Sequence, residues 1–251
     1  MKLALVGTGR MGLATEAVAA ERGHALVARF DSRRPLLGAR DVDELEGAEV
    51  VIDFSAPAVA LDHVHRYCLW GVDAVVGTTG WADDAGRVRQ WVEEGGNAVL
   101  AAPNFSLGVA VVARALAAVM PLLERLDEYD PSIHEVHHAG KVDSPSGTAL
   151  RLADVVLGGL SRKSRLETET VHGAIDPAAL HVTSARTGQV VGEHAVALEG
   201  PADRIRFVHE ARDRRAFAAG AVRAAEWLPG RAGLFSFDDM VEEMMGRPSG
   251  G

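Results

Sequence analysis

Two histidines and a lysine fall within five residues in His137-His138-Ala139-Gly140-Lys141. Imidazole and ammonium groups this close can exchange a proton with a substrate and can hold an anion. The intervening Ala139-Gly140 makes a flexible turn, so both side chains can converge on one small ring. Ser144-Pro145-Ser146-Gly147-Thr148 follows and opens a helix predicted from about Thr148 to Leu160. Ser and Thr cap helix starts, and the free N–H groups there bind anions. Proton donors beside a carboxylate site suit a small acid as substrate better than a neutral molecule. The bland alternative is a set of hydrogen-bonded structural histidines. Histidine also ligates zinc, but the stretch has no cysteine and no second compact ligand cluster near it, so no metal is expected.

A second stretch with chemical content is Gly7-Thr8-Gly9-Arg10-Met11-Gly12. It follows the strand-like Leu3-Ala4-Leu5-Val6 and opens a helix expected from about Met11 to Arg22. In that position Gly7 permits a tight turn, Gly9 lets the backbone approach a pyrophosphate, and Gly12 lets the helix pack closely on the strand. Asp31 ends the next apolar run, 19 residues after Gly12, where a carboxylate receives ribose hydroxyls. Together these point to a nicotinamide dinucleotide, although a Gly-rich turn and a solubilising Asp also occur without one. Two more turns end apolar runs: Gly77-Thr78-Thr79-Gly80 and Ala102-Pro103-Asn104-Phe105-Ser106. Gly77, Thr78 and Thr79 can offer backbone and hydroxyl groups to a ribose or carboxamide, and Phe105 can flank the nicotinamide. Either segment also reads as a plain turn.

The elements that must position these residues follow from periodicity. Short Val/Ile/Ala runs alternate with helical segments up to Ala101, and runs apolar on both faces belong to strands covered on both sides. The expected fold class is therefore α/β, a Rossmann-type doubly wound parallel sheet. After Asn104 the pattern changes to a long helix from Leu107 to about Leu126 and an extended segment from Ser132 to His138. Strand-like runs at His181–Ala185, Glu193–Leu198 and Arg204–His209 suit a second, mixed or antiparallel sheet. A last helix, Ala216–Trp227, precedes a Gly-Leu-Phe turn and a short acidic tail.

The net charge of -9 argues against a nucleic-acid backbone binder, which needs clustered Lys and Arg. The apolar stretch from Leu107 to Leu123 is broken by Arg114 and Pro121, so no membrane span is expected. The lone Cys68 cannot form an internal disulfide and reads as a buried structural thiol. With no signal-peptide layout before the first strand, a cytoplasmic protein is expected.

The run Glu135-Val136-His137-His138-Ala139-Gly140-Lys141-Val142-Asp143-Ser144-Pro145-Ser146-Gly147-Thr148-Ala149 resembles the signature E-x-H-H-x-x-K-x-D-A-P-S-G-T-A of the 4-hydroxy-tetrahydrodipicolinate reductase (dihydrodipicolinate reductase) family. Ser144 in place of Ala is the single departure at a fixed position. Gly9-Arg10-Met11-Gly12, Asp53-Phe54-Ser55, Gly77-Thr78-Thr79-Gly80, Asn104-Phe105-Ser106, Val191-Gly192-Glu193-His194 and Gly233-Leu234-Phe235 match in the family's order and span nearly the whole chain. The phosphate turn is shorter by a residue than in many members, and Asp31-Ser32-Arg33-Arg34 lies where members vary along with cofactor preference.

The resemblance implies NADH or NADPH as cofactor and a small cyclic dicarboxylate as substrate. It implies His137 as proton donor or acceptor, Lys141 as second proton donor, and His138, Gly147 and Thr148 as ligands of the substrate carboxylates. The dinucleotide would lie on Gly7, Thr8, Gly9, Arg10, Met11, Gly12, Asp31, Gly77, Thr78, Thr79, Ala102, Pro103, Asn104 and Phe105. A Rossmann-type domain of residues 1–106 and 217–251 would carry the cofactor. An α+β domain of residues 107–216 would carry the substrate and assemble a homotetramer. Two rivals share part of this pattern: an amino-acid dehydrogenase with the same cofactor half, and a regulator that senses NAD(H) without turnover.

Overall fold

β1 (Lys2–Val6) begins the chain in the computed structural model, which describes residues 1–78 and 80–246. Then come α1 (Arg10–Glu21), β2 (Ala25–Phe30), β3 (Val50–Asp53), α2 (Pro57–Trp70), β4 (Asp73–Val76), α3 (Ala85–Gly95) and β5 (Ala98–Ala101). They are followed by α4 (Leu107–Leu123), β6 (Asp130–His137), α5 (Gly147–Gly159), β7 (Arg165–Glu167), β8 (Ala179–Arg186), β9 (Gly192–Glu199) and β10 (Arg204–Ala211). The chain closes with α6 (Arg215–Trp227), β11 (Gly233–Ser236) and α7 (Phe237–Met244). It divides into two compact units, Met1–Ser106 together with the chain from Arg214 onward, and Leu107–Asp213.

In the first unit six parallel strands lie in the order β11-β5-β4-β3-β1-β2. Ala4, Val6, Val51, Ala74, Val76 and Val99 share a core with Val64, Tyr67, Val88 and Val92 of α2 and α3. α1 and α6 pack on each other and reach β2, β3 and β4. This double cover explains why β1, β3 and β4 are apolar without alternation. From β1 the chain goes one way to β2 and then back past it to β3, so the strand order reverses between β1 and β3. Ligands of such sheets bind at the carboxyl ends beside that reversal.

Two readings of the last segment need correction. Gly233-Leu234-Phe235, expected as a turn, forms β11 and pairs in parallel with β5 from Gly233↔Ala98 to Ser236↔Ala101. The acidic tail is α7, where Ser236 and Asp239 form a reciprocal capping box and Asp238 and Asp239 complement the positive helix end. A four-residue strand that exists only through a remote partner leaves little periodicity to read. The three-residue β7 escaped for the same reason.

The second unit is a mixed sheet in the order β10-β9-β6-β8-β7, with β6 parallel to β8 and antiparallel to β9. α5 lies on β6, β8 and β9, and α4 on α5 and β10. Leu116, Met120, Leu152, Ile133, Val182 and Val196 fill the space between helices and sheet. The opposite sheet face carries Ser132, His134 and Val136 of β6, Thr183 of β8 and Val208 of β10, none of them buried.

Candidate active site

In the first unit, a cleft of about 620 Å³ opens at the carboxyl ends of β1, β2 and β3. Its walls include Gly7, Thr8, Gly9, Asp31, Ser32, Arg33, Phe54, Ser55 and His63. The volume is that of a typical ligand pocket. Gly7 has φ +89, and a Cβ there would meet the Phe54 carbonyl oxygen at 2.3 Å; one on Gly12 would meet the Gly7 carbonyl oxygen at 2.0 Å. Around Gly9, in contrast, a Cβ would meet nothing within 4 Å. The turn is thus tight on the protein side and open on the side where a phosphate would approach, at the N-terminus of α1. Arg10, exposed, and Met11, half-buried, begin that helix.

Asp31 is braced. Its carboxylate accepts from the Arg33 N–H (2.8 Å), the Arg34 N–H (3.2 Å) and the Thr8 hydroxyl (2.9 Å). The Arg33 backbone hydrogen bond, followed by that of Thr8, lowers its pKa, so it stays ionised. The two arginines part here. Arg33 lines the cleft with its side chain 91% exposed, 3.8 Å from Asp31. Arg34 is turned onto the Phe30 ring, 4.7 Å from its centroid, and toward Glu44 and Glu46.

The other expected contacts are mixed. Thr78 donates its hydroxyl to the Ser55 carbonyl (3.0 Å), which ties two of the turns together, and Thr79 lies outside the described residues. Ala102 is buried, Pro103 is exposed, and Asn104 accepts the Ser106 N–H at 2.7 Å. Phe105 does not stand free to flank a nicotinamide. It is 2% exposed and held edge-on between Phe54 (6.0 Å) and Phe237 (5.3 Å), and Phe54 lines the cleft instead. The backbone beside Phe54 is braced by a buried carboxylate. Buried Asp53 accepts from the Ser55 N–H (2.7 Å), the Tyr67 hydroxyl (2.7 Å) and the His63 ring (2.9 Å).

In the second unit, the alternation of β6 puts Glu135 and His137 on the same face as Ile133, toward α5. Register then adds residues from other strands: Arg186 of β8 lies opposite His137, and His194 of β9 opposite Glu135. Glu135 is fully buried and accepts from His137 Nδ1, from Arg186 Nη2 (2.8 Å) and from the Ser146 N–H (3.2 Å). Burial raises the Glu135 carboxyl, but the Arg186 guanidinium and its other hydrogen bonds outweigh that and hold it at about 2. Burial lowers the His137 pKa, with Glu135 working against it. Lys141 pairs with Asp143 at 2.7 Å in the turn beyond. His138 is half-buried and its carbonyl accepts the Lys141 N–H (3.1 Å).

Ser146 caps α5 by accepting the Ala149 N–H (3.2 Å), which leaves exposed Gly147 and half-buried Thr148 as the first residues of the helix. The Glu135–His137 pair and the start of α5 are therefore one hydrogen bond apart, through Ser146.

The family model described as "Dihydrodipicolinate reductase, N-terminus" matches residues 1–105, and "Dihydrodipicolinate reductase, C-terminus" matches residues 108–241. The chain belongs to the dihydrodipicolinate reductase family. A relative from Natronomonas pharaonis, a 4-hydroxy-tetrahydrodipicolinate reductase, is 40% identical over 253 residues, covering 96% of this chain and 100% of that protein. Another, from Christiangramia forsetii, is 34% identical over 244 residues, 97% of this chain and 99% of that one. The structure of dipicolinate-bound dihydrodipicolinate reductase from Paenisporosarcina sp. TG-14 shares the fold, with a TM-score of 0.73 at 21% identity over 94% of this chain and 97% of that one.

Glu135 and Ser146 belong to the dihydrodipicolinate reductase signature run without a role that the sequence assigns, and His194 belongs to the separate Val191–His194 match. The strand period could have paired Glu135 with His137. Nothing local to Arg186 or His194 announces that register brings them to the same point. The fold also supplies the ligand cluster that the sequence lacked: Glu135, His137 and His194 offer atoms within 4.8 Å of one another. Glu135 is already engaged by Arg186, Ser146 and His137, and His194 Nε2 lies 3.1 Å from Ser146 Oγ. A guanidinium on the shared carboxylate opposes a second cation there, and the trio is joined through Ser146 into a hydrogen-bonded network.

Proposed function

We propose that this protein reduces 4-hydroxy-tetrahydrodipicolinate to tetrahydrodipicolinate, with NADH or NADPH, in the diaminopimelate route to lysine. The observation that carries the reading is the Glu135–His137 pair joined through Ser146 to the start of α5. In balance, the ring gains a hydride and a proton and loses water. The dinucleotide supplies the hydride, and Gly7 to Gly12, Asp31 and the Gly77–Thr78 turn are the residues that would hold it. Gly9, open to the outside of the turn, and ionised Asp31 fit its pyrophosphate and ribose.

His137, oriented by Glu135 at Nδ1, presents Nε2 to the substrate as proton donor, and Lys141 is the second donor. Burial holds the His137 pKa below its ordinary value, and Glu135 offsets part of that by favouring the imidazolium. The Gly147 and Thr148 N–H groups, the positive end of α5 and His138 bind the carboxylates and fix the ring. An NADH-oxidation assay on freshly made 4-hydroxy-tetrahydrodipicolinate tests the reading. Cofactor binding without turnover would replace it with a regulator, and NAD+-dependent oxidation of an amino acid with a dehydrogenase.

We also propose that the protein is a homotetramer assembled through the second unit. Val136 and Val208 lie on the sheet face opposite the helices, beside Ser132, Thr183, His134 and Arg206, and this face suits burial against a second copy. Light scattering at micromolar concentration checks this, and a monomer would refute it. The cytoplasm suits such a biosynthetic step. No helix among the described residues is long and apolar enough to cross a membrane.

A further inference from the structure

The roles above leave one buried residue of the cluster unused. His194 of β9 is 4% exposed, and its ring centroid lies 5.0 Å from that of His137 at an interplanar angle of 73°. Its Nε2 is 3.1 Å from Ser146 Oγ, and its Nδ1 is buried without a hydrogen-bond partner. Burial, then the charge of His137, pushes His194 down to about 4. It is therefore neutral at neutral pH and is no source of the reaction's proton. Gly192, two residues earlier on the same strand, adds a steric condition: a Cβ there would lie 2.9 Å from His137 Nε2. The His137 ring is thus enclosed by Glu135, Gly192 and His194.

We propose that His194 is a positioning residue with two separable actions: its ring holds His137 against Glu135 over Gly192, and its Nε2 fixes the Ser146 hydroxyl that caps the carboxylate-binding end of α5. The first action bears on proton transfer. Without the ring, His137 is tethered only at Nδ1 and can swing away from the substrate. The second bears on substrate binding, since Ser146 sets the first turn of α5 by accepting from Ala149. One residue on β9 thereby sets both the acid and the carboxylate cradle. The inference rests on the reading of His137 as proton donor.

The test uses the full chain with His194→Phe, His194→Gln and His194→Ala, and with His137→Gln as control. Phe keeps the ring and loses the bond to Ser146, so KM for 4-hydroxy-tetrahydrodipicolinate should rise while kcat holds within a few-fold. Gln can reach Ser146 but has no ring, so kcat should fall ~10- to 100-fold, the worth of a misplaced reacting group, with KM little changed. Ala should combine both losses, and NADH affinity should be unchanged in all three.

A pH profile adds a readout that general loosening does not mimic. His137 is faced by Glu135 on its own strand, Arg186 of β8, Lys141 of the next turn and His194, and His194 is faced by His209 of β10. Removing the His194 ring in the Ala variant admits water and relieves the burial that depresses His137. The basic limb of kcat should move to higher pH in Ala and stay in place in Phe. Equal kcat and KM in all three variants, parallel losses without the Phe–Gln split, or an unmoved limb in Ala overturns the proposal. If His137→Gln itself retains kcat, the underlying reading of the acid fails instead.

Discussion

Glu135→Gln is the most demanding single perturbation of this site, because one carboxylate serves three partners. Its charge is buried completely and is shared by Arg186, the Ser146 N–H and His137 Nδ1. Gln keeps the shape, and its carbonyl can still accept from Arg186 or Ser146. Its amide nitrogen, however, is a donor where His137 needs an acceptor. A carboxyl held at about 2 instead of 4.5 contributes on the order of 3 kcal/mol of stability. Because the folded value is depressed, that contribution is complete above pH 4.5 and is lost as pH falls through 2. The Gln variant lacks it at neutral pH. A loss of ~3 kcal/mol also matches the lower end of what breaking a buried pair costs, as expected when Arg186 keeps the Ala185 and Asp143 carbonyls.

The catalytic effect has a sign as well as a size. Glu135 opposes the burial that lowers His137, so the Gln variant leaves His137 lower still and less protonated at neutral pH. We expect kcat to fall ~10²- to 10⁴-fold, the usual worth of a general acid, with NADH affinity unchanged. The basic limb of the pH–kcat profile should shift to lower pH, with partial recovery of rate in mild acid. Urea unfolding and steady-state kinetics across pH measure both halves. A kcat within a few-fold of the unaltered protein, with the limb in place, would mean that His137 does not donate the proton or that Glu135 does not tune it.

Both cofactors should support turnover, since Asp31 favours a free ribose and Arg33 a phosphate; Arg33→Ala should cut kcat/KM with NADPH ~10-fold and spare NADH, while Arg34→Ala, already engaged with Phe30, Glu44 and Glu46, should not discriminate. A preference beyond about a thousandfold in either direction would refute dual use. Gly192→Ala places a Cβ 2.9 Å from His137 Nε2 and should lower kcat ~10-fold without changing NADH binding, and an unaltered kcat would show that the ring has room to move. Lys141→Gln should reduce kcat, whereas Thr148→Val should raise KM more than it lowers kcat, and the His137–Lys141 double variant should lose less than the product of the singles; steady-state kinetics decide each. For stability, His194 at about 4 instead of 6.5 means the unfolded chain takes up a proton that the fold refuses, so stability drops as pH falls from 6.5 to 4, by on the order of 3 kcal/mol. His194→Phe should flatten that slope in urea titrations, and an unchanged slope would assign the effect elsewhere.

Local chemistry made much of this protein legible from sequence. Gly7 is demanded by its φ of +89 in the turn and Gly12 by its contact with Gly7 in the same strand–turn–helix unit, and a Gly-x-Gly-x-x-Gly after an apolar run signals that unit by itself. The unbroken apolar runs of β1, β3 and β4 announce a sheet covered on both sides, since burial of both faces removes the polar alternation. The His137–Thr148 run is equally local: a strand end, a turn and a helix cap in sequence order.

What the sequence left open depends on partners far apart along the chain. β11 is four residues whose strand character comes only from pairing with β5, and its Gly-Leu-Phe reads as a turn without that partner. Phe105 reads as exposed beside a Pro-Asn turn, yet its ring is buried by Phe54 and Phe237, one before it and one after it in sequence. Arg33 and Arg34 are adjacent and alike in type, and only the positions of Phe30, Glu44 and Glu46 send one to the cleft and the other away. Arg186 and His194 join the Glu135–His137 cluster because β8 and β9 flank β6 in a particular register. A shift by one residue would turn both to the opposite face. Residue types and local spacing determined which chemistry was present; strand order and register decided which groups meet to perform it.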